Sequence, residues 1–194
     1  MKNLESSTYI YMIRHGESPK TEENERTRGL TDKGKVDAHR VTELLKQEGL
    51  DTFISSPYSR AVLTIRELAH LSGKEVIEYE ELKELLFSSE DKIVPDQEIY
   101  PAVQKMFSDR DFSLPGGESI SQCQKRAVAI LKEILQAYRG QKIAMGTHGV
   151  VMTLMMGYFD NQYGFEFLMG TSKPDVYRLE FKDEELIEVK RLWN

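Results

Sequence analysis

Tyr9 to Ile13 form an unbroken apolar run that stops at Arg14-His15-Gly16-Glu17. A run of this length predicts a strand buried on both faces, as in the interior of a parallel sheet. Lys142 to Thr147 repeats the theme, with Ile143-Ala144-Met145 apolar and Gly146-Thr147-His148-Gly149 following. The stretch between them alternates in period. Ser18 to Gly29 is polar and aperiodic, a loop. Thr31 then reads as a helix N-cap, with Val36, Val41, Leu44 and Leu45 as the apolar stripe and Gly49 as the stop. A short strand is predicted over Asp51 to Ser55. Ser56-Pro57 has the form of a serine cap with proline in the first helical position. Ala61, Val62, Ile65, Leu68 and Ala69 keep helical spacing up to Gly73, and Glu75 to Tyr79 is a further short strand.

From Glu80 to Gly117 the pattern weakens, with a short helix predicted at Ile99 to Phe107 and a break at Pro115-Gly116-Gly117. Ser119-Ile120-Ser121-Gln122 fits a capping box. Cys123, Ala127, Ile130, Leu131, Ile134 and Tyr138 line one face of the helix it opens, which stops near Gly140. Val150 to Met156 begins another helix, and Met145, Met152, Met155 and Met156 read as core filler. Val176 to Phe181 and Leu186 to Leu192, joined at Lys182-Asp183-Glu184, form a hairpin. Strands separated by helices predict an α/β three-layer sandwich: a mostly parallel central sheet, helices on both faces and an antiparallel edge hairpin. Residues 1–194 are expected to form one domain. Residues 85–117 are too long for a plain connection and are expected to cover part of a site.

Composition narrows the function classes. The formal charge of −6 argues against non-specific nucleic-acid binding and against an anionic membrane surface. An anionic ligand must then find positive charge locally. The single cysteine, Cys123, excludes an intrachain disulfide, and its place on the helix stripe predicts a buried structural thiol. Met1 to Thr8 is polar, and no stretch approaches the roughly 20 apolar residues of a membrane span. A cytoplasmic location is expected.

The chemistry sits where the two apolar runs end. In open α/β sheets, ligands bind beyond the carboxyl ends of the strands. A neutral imidazole there is a competent nucleophile, and a guanidinium beside it suits an anion. Gly16 allows close backbone approach to a ligand. The predicted cap at Ser56 puts Arg60 in a first helical turn, where free N–H groups already favour negative charge. Phosphoryl transfer needs an in-line nucleophile and positive charge around the equatorial oxygens. His15 supplies the first; Arg14, Arg60, His148 and backbone N–H groups supply the second. His39 and His70 fall on predicted helices away from this edge, and no metal-ligand spacing is present.

In order along the chain, Arg14-His15-Gly16-Glu17, Leu30-Thr31-x-x-Gly34, Ser55-Ser56-Pro57-x-x-Arg60-Ala61, Gly117-Glu118-Ser119 and Thr147-His148-Gly149 resemble the motifs of the histidine phosphatase superfamily, the phosphoglycerate-mutase-like proteins. The resemblance implies that His15 is the phosphorylated histidine, that Arg14 and Arg60 bind phosphate, and that His148 is the second histidine at the phosphoryl group, beside Gly16 and Gly149. It also implies a carboxylic acid as proton donor within a Leu-x-Glu pattern. Leu82-Lys83-Glu84 fits, with Glu80 and Glu81 as rivals. The Phe87-Ser88-Ser89-Glu90-Asp91 stretch departs from what many relatives carry after the acid. Arg28 is a candidate for the phosphate pocket, whereas Asn24 and Arg26 read as solvated loop.

The activity implied is hydrolysis of a small phosphorylated metabolite through a phosphohistidine, with no cofactor, metal, nucleic acid or membrane partner. Three alternatives stay open: a catalytically weak phosphate-binding regulatory domain, a phosphohistidine protein phosphatase and a phosphoglycerate mutase. The family's mutases resemble longer chains with a tail folding over the entrance. Here the final hairpin is followed by two residues, so hydrolysis is expected over isomerisation.

Overall fold

The computed structural model describes residues 6–21, 24–89 and 92–194. Met1–Glu5, Glu22, Glu23 and the Glu90-Asp91 end of the stretch that departs from the family pattern lie outside the described residues. The elements, in order, are β1 (Thr8–Arg14), α1 (Asp32–Leu45), β2 (Thr52–Ser55), α2 (Ser59–Leu71), β3 (Val76–Glu78), α3 (Asp96–Ser108), α4 (Ile120–Ala137), β4 (Lys142–Thr147), α5 (Gly149–Phe159), α6 (Phe165–Gly170), β5 (Asp175–Lys182) and β6 (Glu185–Arg191). A 3-10 turn, Glu80–Leu82, precedes Glu84.

The sheet runs β3-β2-β4-β1-β5-β6. Its first four strands pair in parallel, and β5 pairs antiparallel with both β1 and β6. The α/β sandwich with an antiparallel edge hairpin is therefore the observed fold. In β1, Ile10 and Met12 face a core built with α3, α4, α5 and α6, while Tyr11 and Ile13 face α1 and α2. Both faces being covered explains why the strand reads as an unbroken apolar run. The four methionines 145, 152, 155 and 156 are wholly buried in the larger core, as is Cys123, whose thiol burial holds well above its ordinary pKa.

Local signals are confirmed at two caps. Thr31 accepts from the Gly34 N–H, and Ser119 and Gln122 make the reciprocal capping box. Other boundaries shift. Helix α1 ends at Leu45 rather than running to Gly49, which instead takes φ +69° in the following turn. Its stripe also differs, because Val36 is 62% and Leu44 39% exposed. The buried face is Gly34, Asp37, Ala38, Val41, Thr42 and Leu45, and Asp37 is accommodated by Lys33 at 2.6 Å and Arg40 at 2.9 Å. Helix α2 starts at Ser59, not after Ser56, and α3 starts at Asp96, three residues before the predicted Ile99. Helix α6 has no counterpart in the sequence reading; at six residues, with no side-chain cap, it is held by packing of Phe165, Phe167 and Leu168 against the larger core.

Candidate active site

Parallel pairing of β1 with β4 puts Arg14 opposite Thr147, and the ladder continues one step as the His15 N–H donates to the Thr147 carbonyl at 3.0 Å. His15 and His148 thereby leave the sheet side by side, with ring centroids 5.2 Å apart and edge to face. Gly34 lets the loop after His15 settle close by: a Cβ there would lie 2.2 Å from the Glu17 carbonyl. This gives the Leu30-Thr31-x-x-Gly34 motif a packing reason.

His15 is 5% exposed. Its Nδ1 lies 2.7 Å from the Gly16 carbonyl, which only accepts, so Nδ1 carries the proton. The Nε2 lone pair is then directed to Arg60, whose Nε–H donates to it at 3.2 Å. Burial holds His15 well below the usual imidazole pKa, and Arg60, His148 and Arg14 add to the shift. Loss of water is the larger cause, ahead of the neighbouring charges. His148 is fully buried and is lowered by burial, Arg60, Arg28 and Arg14. Its Nε2 meets Ser56 Oγ at 2.8 Å, and its Nδ1 is buried with no partner among the described residues. Ser56 is thus a partner of His148 rather than a helix cap.

Both histidines are held neutral in the folded protein, whereas an unfolded chain protonates them near pH 6.5. Below that pH the unfolded state binds protons that the folded state refuses. Their stabilising effect is therefore full above about pH 6.5 and lost as pH falls, by up to about 1.4 kcal/mol per pH unit for each histidine. Urea unfolding from pH 7.5 to 5, compared with a His15→Asn variant, checks this. An equally steep fall in the variant would contradict it.

Four cations close around the pair. Arg14 donates to the Thr171 hydroxyl, and its Nε is buried without a partner among the described residues. Arg60 is 1% exposed; burial and the neighbouring Arg28 lower it to about 10, so it stays cationic at neutral pH. Arg28, a sequence candidate, is buried in the same wall. Lys173 was not anticipated. It lines the cavity without a hydrogen bond or ion pair among the described residues, and burial together with Arg14 lowers it to about 8.

Glu84 faces this group across the cavity. Its carboxylate accepts the N–H groups of Val150 at 3.0 Å and Val151 at 2.9 Å, in the first turn of α5, and its own Leu85 N–H at 2.8 Å. Its main-chain carbonyl accepts from Arg126, which also pairs with Glu118 of the Gly117-Glu118-Ser119 motif at 2.7 Å. The rivals point elsewhere: Glu80 pairs with Arg26 at 2.7 Å, and neither Glu80 nor Glu81 lines the cavity. Gly16 and Gly149 do not line it either. Gly16 orients His15, and Gly149 leaves room for Arg14, whose Cζ would lie 2.8 Å from an added Cβ.

The cavity holds about 370 Å³, and its far wall comes from residues 85–117 through Phe87, Asp96, Ile99, Tyr100 and Val103. Asp96 was missed in the sequence, and so was a second carboxylate of the lining. Glu25 accepts from Arg28 at 3.0 Å and from Arg60 at 2.9 Å. Only the mixed Glu25-Arg26-Thr27-Arg28 composition of the loop hinted at it. His39 and His70 are exposed, away from the site. Among the described residues, no group of three or more His, Cys, Asp or Glu side chains is arranged to hold a metal ion.

The model of the histidine phosphatase superfamily, branch 1, matches residues 10–194. The chain belongs to this superfamily. Among its relatives, phosphoglycerate mutase-like protein 4 of Arabidopsis thaliana is 31% identical over 193 residues, 93% of this chain and 83% of the relative. Phosphoserine phosphatase 1 of Hydrogenobacter thermophilus is 27% identical over 155 residues, 75% of this chain and 73% of that protein. The superfamily fold is also that of a mycobacterial glucosyl-3-phosphoglycerate phosphatase, with a TM-score of 0.76 at 17% identity, covering 95% of this chain and 97% of the other. No helix among the described residues is long and apolar enough to cross a membrane.

Proposed function

We propose that this superfamily member is a phosphomonoester hydrolase that forms a phosphohistidine at His15 Nε2 and acts on a small phosphorylated metabolite. The observation that carries the reading is the hydrogen bonding of His15. Its Nδ1 proton is committed to Gly16, its Nε2 lone pair faces the arginine-lined cavity, and burial keeps the ring neutral. Nε2 attacks phosphorus and the bond to the ester oxygen breaks. Glu84, entering this step as the protonated acid, gives its proton to that oxygen. Water then attacks the phosphohistidine, Glu84 recovers a proton from it, and phosphate leaves with the His15 lone pair restored. Arg14, Arg28 and Arg60 hold the phosphoryl oxygens, and His148 adds a donor to them as charge builds. The reading takes residues 1–194 as one domain in which 85–117 forms a partial cover, and it needs neither metal nor cofactor.

Relatives named as mutases and as phosphatases both support phosphoryl chemistry. The experiment that separates the two incubates the enzyme with 3-phosphoglycerate and a trace of 2,3-bisphosphoglycerate, with EDTA present. It is run beside a panel of phosphomonoesters that includes phosphoserine. Phosphate release is expected to dominate. Interconversion of the glycerate isomers well above phosphate release overturns the hydrolase reading.

His148 gives a finer check. His148→Ala is expected to slow turnover by about 10² to 10³, the loss typical of one charge-stabilising donor. Covalent labelling of His15 should persist. A folded variant with no label means that the roles of the two histidines are reversed.

A further inference from the structure

The anion site already contains an anion. Glu25 Oε2 accepts from Arg28 Nε at 3.2 Å, from the second terminal nitrogen of Arg28 at 3.0 Å and from that of Arg60 at 2.9 Å. The other terminal nitrogen of Arg60 donates to the Glu25 main-chain carbonyl. Arg60 Nε, the remaining nitrogen, donates to His15 Nε2. Each of the three Arg60 nitrogens therefore donates to a protein atom. The lone pair that would attack phosphorus is also engaged, because it cannot accept an N–H and form a P–N bond together.

We propose that Glu25 is a built-in occupant of the phosphoryl site, a tethered carboxylate that holds Arg28 and Arg60, and through Arg60 the His15 lone pair, until a phosphoryl group displaces it. The proposal rests on the hydrolase reading for what the arriving group is. Carboxylate and phosphoryl oxygens compete for the same guanidinium forks, since both present paired, charged acceptors at similar spacing. Glu25 reaches the site from a tight turn. Asn24 Oδ1 organises this turn by accepting the N–H groups of Arg26 and Thr27 at 2.9 Å and the Thr27 hydroxyl at 3.1 Å. The tether lies on this short polar turn rather than in the sheet, so a rotation of the Glu25 side chain frees Arg28 and one terminal nitrogen of Arg60 without disturbing β1 or β4, while the other stays on the Glu25 main-chain carbonyl.

A site that must open before it binds has an apparent affinity lowered by the fraction of time it is open. Weakening the tether should thus tighten every anion that uses Arg60. The test is calorimetric binding of inorganic phosphate and orthovanadate to the full chain, to Glu25→Gln and to Asn24→Ala. Glu25→Gln is expected to bind both anions about tenfold more tightly, and Asn24→Ala to shift the same way by less. Asn24→Ala keeps the carboxylate, so it decides the matter should Glu25→Gln prove unstable. Unchanged or weaker binding in both folded variants overturns the latch and makes Glu25 a support that aims Arg60 at phosphate. That result leaves the hydrolase reading intact if the unaltered chain binds phosphate. Absence of phosphate binding in all three proteins overturns both.

Discussion

Replacing His15 with alanine is expected to lower turnover by about 10⁴ or more and to abolish covalent labelling by a phosphorylated substrate. Losing a nucleophile leaves only what binding and charge stabilisation can do alone, which in well-studied enzymes is a small remainder. The substitution should nonetheless leave a folded protein. His15 lies just beyond the carboxyl end of β1, outside both hydrophobic clusters, and the ladder bond it contributes is made by its main-chain N–H to Thr147. Rapid quenching with phosphorus-labelled p-nitrophenyl phosphate reads both quantities. A folded variant that keeps more than a tenth of the activity, or that still takes up label, removes His15 from the proposed mechanism.

The second large effect is expected at Glu84 and should depend on the leaving group. Alkyl phosphates leave as strongly basic alkoxides and need a proton as the bond breaks; p-nitrophenolate does not. Glu84→Gln is therefore expected to cost about 10² to 10⁴ on alkyl esters and only severalfold on p-nitrophenyl phosphate. The glutamine carbonyl can still accept one of the two α5 N–H groups that the carboxylate holds. A thermal melt accompanies the kinetics to separate local unfolding from lost chemistry. Equal losses on both esters would assign Glu84 to holding α5 rather than to proton transfer.

Much of this site was legible because its parts are carried by regular elements. The apolar run Tyr9 to Ile13 suited a strand covered on both faces, and its end located Arg14 and His15. Gly146-Thr147-His148-Gly149 did the same for β4. Arg28 was named only as a candidate beside the resemblance. Glu84 was reached through a resemblance, and its carboxylate at the start of α5 is a tertiary contact with no local signature. Glu25 and Lys173 escaped for a related reason. Each lies in an irregular loop, where side-chain direction follows from distant packing rather than from a period. The exposed Val36 and buried Asp37 of α1 mark the opposite failure. A hydrophobicity count assigns the helix face by residue type, but Lys33 and Arg40 neutralise Asp37 and allow it inside.

The hydrogen-bond ladder that sets His15 beside His148 belongs to the centre of the sheet, whereas the far wall of the cavity belongs to α3 and the segment around it. The two can change independently. Exchanging Phe87, Ile99, Tyr100 or Val103 alters what fits against the cover and leaves the β1–β4 pairing untouched. On the proposed function, a handful of changes in one segment is expected to shift such a chain from one phosphoester to another, while the spacing of its two histidines is inherited unaltered.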